Sequence, residues 1–278
     1  MPVRLDAVSF TALRTECVFQ DTVLGVATSF LYRLDGRDHL VTAGHNVTGR
    51  HAETRRPIHH SGGLPDRLII TTVVPADGAD RTDERLMLTS QRRIIPMTEP
   101  APLGDSVQVR GHPAGAEVDI VTIGPFDVAD DLFTRPVNDP FLELVPMEAS
   151  CGDDAFVLGY PHFVDGGASF VPIWKRASIA SDPVAASAAG RPPRLLLDTA
   201  TRSGMSGAPV FLRQSGMIVP RGTPPGGDSL IGTAQDFLGC YSGRLGERDE
   251  LDAQIGLMWT VEAIESTIRD GVAVEFEV

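Results

Sequence analysis

The stretch that decides the fold is residues 201–211, which read TRSGMSGAPVF. Gly204 and Gly207 lie on either side of Ser206, and an apolar run follows. Glycine adopts backbone conformations that other residues avoid, so the pattern is typical of a tight bend before a strand. Ser206 is either part of a plain loop or an exposed nucleophile. A nucleophilic serine needs an adjacent base and a third group that orients the base, and the rest of the chain must supply both.

The composition is that of a globular protein that can bury a sizeable core. The chain has 278 residues, of which 42% are hydrophobic and 22% are charged. A net charge of -13 argues against a nucleic-acid partner, because phosphate binding needs a basic face. We find no apolar run of about 18 residues that would predict a membrane-spanning helix, and no signal-peptide pattern at the N-terminus. We therefore expect a soluble, cytoplasmic protein that binds neither nucleic acid nor membrane.

The cysteines do not indicate a disulfide framework or a metal site. Cys17, Cys151 and Cys240 are few, odd in number and widely spaced, and no Cys-x-x-Cys pair occurs. This usage fits a reducing cytoplasm. We expect no metal ion and no cofactor.

Short β-rich segments dominate the chain. Residues 23–32, 67–74 and 194–198 are examples, and glycine, proline, asparagine or aspartate bounds most of these segments. Strands at this spacing predict an all-β sandwich or barrel. Apolar residues at helical spacing predict one helix over residues 260–270.

His45 is the best candidate for the base among the seven histidines. It ends the stretch LVTAGH, an apolar strand that runs into small residues and then the imidazole. A strand end with small neighbours holds a side chain firmly and leaves it reachable. The alternative is a hydrogen-bonded histidine in a turn.

These two segments carry a family resemblance. LVTAGH at residues 40–45 and GMSGAPVF at residues 204–211 resemble the hallmarks of the trypsin-like (chymotrypsin-fold) serine peptidases, and flanking strands are similar to those of bacterial members. The order histidine, aspartate, serine is also the order of that fold. The resemblance covers about residues 10–270.

The resemblance implies an all-β fold of two antiparallel six-stranded β-barrels with a C-terminal helix. Residues 1–145 would form the barrel that carries the histidine and the aspartate. Residues 146–278 would form the barrel that carries the serine, together with the helix.

Two aspartates compete for the third position of the triad. Asp119 lies inside the β pattern VDIVTI, where burial beside a histidine is natural. Asp127 is followed by further acidic residues, which is typical of an exposed loop. We favour Asp119 and keep Asp127 as the alternative. Asp119 follows His45 by 74 positions, which is long for the family that the chain resembles, so the resemblance implies an insertion, either in residues 50–65 or in residues 76–102.

The resemblance also assigns an oxyanion hole and a primary substrate pocket. The backbone N–H groups of Gly204 and Ser206 would form the oxyanion hole. The pocket floor would be Ala200, and the other pocket residues would be Thr201, Tyr241, Ser242 and Gly243. Because the floor carries no carboxylate, we expect a small or medium uncharged residue before the scissile bond.

The sequence therefore predicts a serine endopeptidase with the triad His45, Asp119 and Ser206 and a protein or peptide substrate. Two alternatives remain, a non-catalytic peptide-binding module on the same fold and an esterase or acyl transferase. Bacterial relatives often work beside regulatory partners, but no segment here indicates such a partner.

Overall fold

The computed structural model describes most of the chain, and strands dominate the described part. The described residues are 6–52, 54–76, 88–97, 108–126, 134–162, 171–188, 193–224, 227–245 and 254–274. Within these ranges the chain forms fourteen strands and three short α-helices. None of the helices in these ranges has the length and apolar character needed to span a membrane.

The first sheet is antiparallel and has eight strands. These are β1 (Ala12–Phe19), β2 (Thr22–Leu34), β3 (Arg37–Thr42), β4 (Arg67–Pro75), β5 (Leu88–Pro96), β6 (Gln108–Gly111), β7 (Val121–Phe126) and β14 (Val272–Ala273). Their spatial order is β14-β6-β7-β3-β2-β1-β4-β5. The helix α1 (Gly44–Thr48) directly follows β3.

The second unit is a closed six-stranded antiparallel barrel. Its strands are β8 (Asp154–Gly159), β9 (Ile173–Ile179), β10 (Arg194–Asp198), β11 (Pro209–Ile218), β12 (Leu230–Arg244) and β13 (Ile255–Thr260). Around the ring they are ordered β10-β13-β12-β11-β8-β9. The remaining helices are α2 (Pro183–Ala188) and α3 (Val261–Asp270).

Six strands of the first sheet repeat the strand order of the barrel. The barrel runs β8-β9-β10-β13-β12-β11 and closes on β8. In the first sheet β1-β2-β3-β7-β6 follow the same plan, and β4 lies beside β1 as β11 lies beside β8. The predicted fold class, an all-β chymotrypsin-like pair of antiparallel units with a C-terminal helix, is confirmed. The sequence itself shows no repeat that reveals this duplication.

The first unit was predicted to be a six-stranded barrel, but its described strands form an eight-stranded sheet that is not closed, because two added strands pair with its edges. β5 pairs with β4 along its whole length and lies in residues 76–102, one of the two regions in which an insertion was expected. β14 pairs with β6 through Val272 opposite Gly111. Both additions pair backbone groups that an uncovered edge would leave free. The last described strand thus belongs to the first sheet, although the predicted second unit runs to residue 278.

A central aromatic cluster joins the two units. Phe30 of β2 and Phe211 of β11 each lie 5.5 Å, between ring centroids, from Phe237 of β12. All three rings are buried. Edge-on and tilted aromatic pairs at this separation add stability beyond the area that they bury. The cluster fixes the two units against each other, and the candidate site lies at the same junction.

The C-terminal helix forms where the apolar spacing predicts it. α3 buries Ala263, Ile264 and Thr267, and it packs on strands of both units. Gly271 ends the helix in an extended conformation. A Cβ at Gly271 would lie 2.2 Å from the Thr267 carbonyl oxygen, so only glycine fits where the chain turns towards β14.

Candidate active site

The pairing of β3 with β7 brings His45 and Asp119 together. Thr42 at the end of β3 pairs with Val121 at the start of β7. The antiparallel pairing continues beyond the strands, where the Gly44 N–H donates to the Asp119 carbonyl at 3.2 Å. A Cβ at Gly44 would lie 2.9 Å from Asp119 Oδ1, so the small residue before His45 makes room for the carboxylate.

The Asp119 carboxylate is buried and accepts three hydrogen bonds. Oδ1 accepts the His45 backbone N–H at 2.8 Å, and Oδ2 lies 2.6 Å from His45 Nδ1. The Ser242 hydroxyl donates to Oδ2 at 2.5 Å. An ionised carboxylate only accepts, so the proton between them belongs to Nδ1 and the lone pair of the ring is on Nε2. This tautomer is the one that a general base needs.

Ser242 contacts Asp119 from a β-bulge in strand β12 of the barrel. Tyr241 and Gly243 pair with adjacent residues of β13, which leaves Ser242 as an extra residue, a β-bulge. Bulges re-aim side chains and are frequent beside active sites. Ser242 was predicted to line the substrate pocket. The structure shows that its hydroxyl donates to the carboxylate of Asp119.

The charges of His45 and Asp119 stabilise each other. Burial lowers the pKa of the His45 imidazole, but the Asp119 charge and hydrogen bond more than offset this effect, so the pKa of His45 is raised overall. Burial raises the pKa of Asp119, but the His45 charge and hydrogen bonds outweigh it, so the pKa of Asp119 is lowered overall. The geometry therefore keeps Asp119 ionised and makes His45 a stronger base than free imidazole.

Ser206 lies in a bend that only glycines allow. Gly204 and Gly207 have φ values of +99° and +84°, where residues with a Cβ are strained. A Cβ at Gly204 would lie 2.3 Å from the Tyr160 carbonyl oxygen, and one at Gly207 would lie 2.0 Å from the Thr28 carbonyl oxygen. The bend is therefore packed tightly between both units of the fold.

The Ser206 carbonyl is tied to the first unit. It accepts the Thr28 backbone N–H at 2.9 Å and the Asn46 side-chain amide at 3.1 Å. Asn46 follows His45 directly in α1. The residue beside the candidate base thus holds the residue that carries the candidate nucleophile.

The two N–H groups predicted to form the oxyanion hole have fixed directions. The Ser203 carbonyl accepts the His162 N–H at 2.8 Å, and the Met205 carbonyl accepts the Ala208 N–H at 3.1 Å. In a trans peptide the C=O and the following N–H point in opposite directions. The N–H groups of Gly204 and Ser206 therefore point away from these donors. Neither has an acceptor among the residues that the structure describes.

Within the described ranges, no hydrogen bond joins the Ser206 hydroxyl to the His45 ring. Such bonds are often long or poorly aligned in unliganded enzymes and shorten in the substrate complex. The hydroxyl lies on the Gly243 side of the bend, with its oxygen 3.9 Å from where a Cβ at Gly243 would lie.

Two of the predicted pocket residues are buried and hydrogen-bonded to each other. Thr201 and Tyr241 are both buried, and their hydroxyl groups lie 2.5 Å apart. A Cβ at Gly256 would lie 2.6 Å from the Tyr241 ring, so the ring fills the space between β12 and β13. Ala200, the predicted floor, is half-buried.

Some functional contacts were not predicted. The roles of Thr28, Asn46 and Ser242 depend on contacts across the two units, for which the sequence gives no signal. Asp127, the alternative acid, lies outside the described residues. Throughout the described part of the chain, no group of three or more histidine, cysteine, aspartate or glutamate side chains is placed to hold a metal ion.

Comparison with known proteins finds similarity only among solved structures. No family model and no curated protein matches the chain. It is similar to the protease Anisep of Arthrobacter nicotinovorans, with 13% identity, a TM-score of 0.47 and 94% of each chain covered. It is similar to a serine endoprotease of Yersinia pestis, with 12% identity and a TM-score of 0.46 over 95% of this chain, but it spans only 66% of that protein. A protease of M. tuberculosis in its active form gives 16% identity and a TM-score of 0.45, with 98% of this chain and 85% of that one covered.

Proposed function

We propose that this chain is a serine endopeptidase that acts through His45, Asp119 and Ser206. The observation that carries the proposal is the buried Asp119–His45 pair, hydrogen-bonded at 2.6 Å, beside a glycine-flanked serine bend. A plain structural loop needs neither a carboxylate with three donors nor a histidine fixed in one tautomer. Together these features supply the oriented base that an activated serine needs.

The proposed reaction begins with proton transfer from Ser206 to His45 Nε2. Ser206 Oγ forms a bond to the carbonyl carbon of the substrate, and the carbonyl oxygen becomes an oxyanion stabilised by the N–H groups of Gly204 and Ser206. His45 then gives its proton to the leaving amine as the C–N bond breaks. A water molecule repeats the sequence on the acyl-enzyme, with His45 first as base and then as acid. Asp119 stays ionised and stabilises the imidazolium.

The burial of two predicted pocket residues supports a preference for a small residue before the scissile bond. If Thr201 and Tyr241 line the pocket, as the resemblance implies, their hydrogen-bonded side chains would narrow it. No carboxylate is found at Ala200 to attract lysine or arginine. We therefore propose glycine, alanine or a residue of similar size at this position of the substrate.

A fluorophosphonate probe tests the proposal, because it reacts only with an activated serine. We expect the folded protein to be labelled and Ser206→Ala to lose the label. Ser203→Ala is the matched control, since Ser203 is an exposed serine three residues away whose contribution to the site is a backbone carbonyl. A folded protein that takes no label contradicts the proposal.

Substrate profiling separates the remaining alternatives. Peptide libraries analysed by mass spectrometry should show amide cleavage that depends on Ser206. Labelling together with hydrolysis of short acyl esters but not of peptides would instead indicate an esterase or acyl transferase. Peptide binding that is equal in the wild type and in Ser206→Ala, with no cleavage, would indicate a binding module.

A further inference from the structure

Thr28 of β2 is fully buried, and its backbone N–H, carbonyl and hydroxyl together make four hydrogen bonds. Its backbone N–H donates to the Ser206 carbonyl at 2.9 Å, and its hydroxyl donates to the Gly204 carbonyl at 2.8 Å. The hydroxyl oxygen also accepts the Tyr160 N–H at 3.1 Å. Its carbonyl accepts the Thr42 hydroxyl at 2.8 Å. Three of these four bonds cross from the first unit to the second.

The Thr28 hydroxyl donates its hydrogen bond to Gly204, a residue of the bend with wide backbone freedom. Glycine has more backbone freedom than any other residue, so the peptides on either side of Gly204 would rotate easily without restraint. The bond from His162 to the Ser203 carbonyl fixes the peptide before Gly204. The Thr28 hydroxyl fixes the peptide after it. The first bond sets the direction of the Gly204 N–H, and the second restrains rotation about Gly204, so that this N–H keeps its orientation relative to Ser206.

The Thr28 hydroxyl is closely packed as well as hydrogen-bonded. A Cβ at Gly159 would lie 2.8 Å from Thr28 Oγ1, so a larger residue on that side would displace the hydroxyl. Tyr160, whose N–H donates to the hydroxyl, begins the segment that leads to His162. One hydroxyl therefore connects β2, the segment after β8 and the serine bend.

We propose that Thr28 is a positioning residue that keeps the Gly204 N–H aimed for oxyanion stabilisation, an inference that rests on the proposed serine peptidase function. Thr28 does not contact the substrate. It acts through the bend, from a strand of the unit that does not carry the serine. Loss of the hydroxyl removes a buried hydrogen bond from the Gly204 carbonyl, and the bend relaxes to satisfy this acceptor.

Thr28→Val is the direct test, because valine has the shape of threonine and leaves the backbone N–H bond to Ser206 in place. A complete oxyanion donor is worth about 100- to 1000-fold in rate, so a misdirected one should lower kcat/KM about 10- to 100-fold. Because the transition state gains most from the donor, we expect KM to change less than about twofold. Affinity for a peptide boronate that forms a tetrahedral adduct should fall in parallel with kcat/KM.

Two further variants separate positioning from general stability. Thr28→Ser keeps the hydroxyl and should restore most of the rate. Thr15→Val removes a buried strand hydroxyl of β1, whose hydrogen bonds are to the Leu13 carbonyl and to the Ser29 hydroxyl at 2.7 Å rather than to the serine bend. It should lower thermal stability and leave kcat/KM unchanged. If Thr28→Val does not fold, Thr28→Cys replaces it, since cysteine is of similar size and donates only weakly.

The outcomes distinguish this inference from the proposed function. A wild-type protein that neither reacts with the fluorophosphonate nor cleaves peptides defeats the proposed function. An active wild type with unchanged kcat/KM and boronate affinity in folded Thr28→Val, or Thr28→Cys in its place, defeats only the role of Thr28. Equal losses in Thr28→Ser and Thr28→Val would also defeat it, because the hydroxyl would not be the group that matters.

Discussion

Replacing Gly204 by alanine tests the serine bend most directly, because its consequences for stability and for rate can be worked out separately. The structure gives Gly204 a φ of +99° and places the Tyr160 carbonyl oxygen 2.3 Å from a Cβ at this position. The added methyl group therefore meets both an unfavourable backbone conformation and a rigid backbone atom. Gly152 is the matched control, with a φ of +88° and nothing within 4 Å of its Cβ position.

The two variants should differ by the energy of the steric contact. An L-residue in the left-handed region costs about 1–2 kcal/mol, and this term applies to both. Overpacking against fixed atoms adds about 1–3 kcal/mol, and this term applies to Gly204→Ala alone. At roughly 2–4 °C per kcal/mol for a chain of this size class, Gly152→Ala should lower Tm by about 2–8 °C. Gly204→Ala should lower it by about 4–20 °C.

Thermal unfolding and fluorophosphonate labelling measured on the same preparations provide the assay. Gly204→Ala can relieve the contact only by moving the bend, so its labelling rate should fall by about 100-fold or more, as for loss of an oxyanion donor. Gly152→Ala should react like the wild type. If both variants lose the same stability and both label normally, the close packing of the bend against Tyr160 is refuted.

Three other predictions concern the acid, the base and the pocket. Asp119→Asn should lower kcat, measured by steady-state peptide hydrolysis, by about 10⁴-fold, because the tautomer of His45 is no longer fixed. Activity requires neutral His45, and the pKa of His45 is raised. We therefore expect kcat/KM to increase with pH through a midpoint above about 6.5, the pKa of free imidazole. A midpoint at or below that value would contradict the buried pair of His45 and Asp119. Tyr241→Ala should open the pocket and improve cleavage after leucine relative to alanine by about 10- to 200-fold, as peptide-library profiling can measure; an unchanged profile would show that the ring lies outside the pocket.

Local patterns in the sequence could predict the fold class and the candidate triad. The run LVTAGH places His45 just beyond a strand, and the structure has β3 end at Thr42 with α1 beginning at Gly44. The glycines around Ser206 indicate a bend, and both have positive φ. Asp119 was favoured over Asp127 because it lies in a β pattern, and β7 begins two residues after it. In each case the information lies within a few residues of the position.

The contacts that support the triad could not be predicted, since they join residues that are far apart in the chain. Thr28 meets Gly204 across 176 positions, Asn46 meets Ser206 across 160, and Ser242 meets Asp119 across 123. Threonine, asparagine and serine are common residues, and no local pattern marks these three. The pairing of β5 and β14 with the first sheet could not be predicted for a related reason, because it depends on which edges of that sheet lie uncovered.

Strand register accounts for both halves of the candidate site. β3 and β7 pair up to Thr42 and Val121, and the pairing continues to Gly44 and Asp119.

β11 and β12 extend in the same way. Pro209 pairs with Cys240, the Gly207 N–H then donates to the Tyr241 carbonyl at 2.7 Å, and Gly243 lies opposite Ser206. A shift of one residue in either ladder would turn every side chain to the other face and separate the three groups. The inserted strand β5 pairs only with β4 at the edge of the first sheet, where it leaves both ladders unchanged. The chain therefore accommodates added elements at the sheet edges while the geometry that the chemistry needs stays fixed by two backbone ladders.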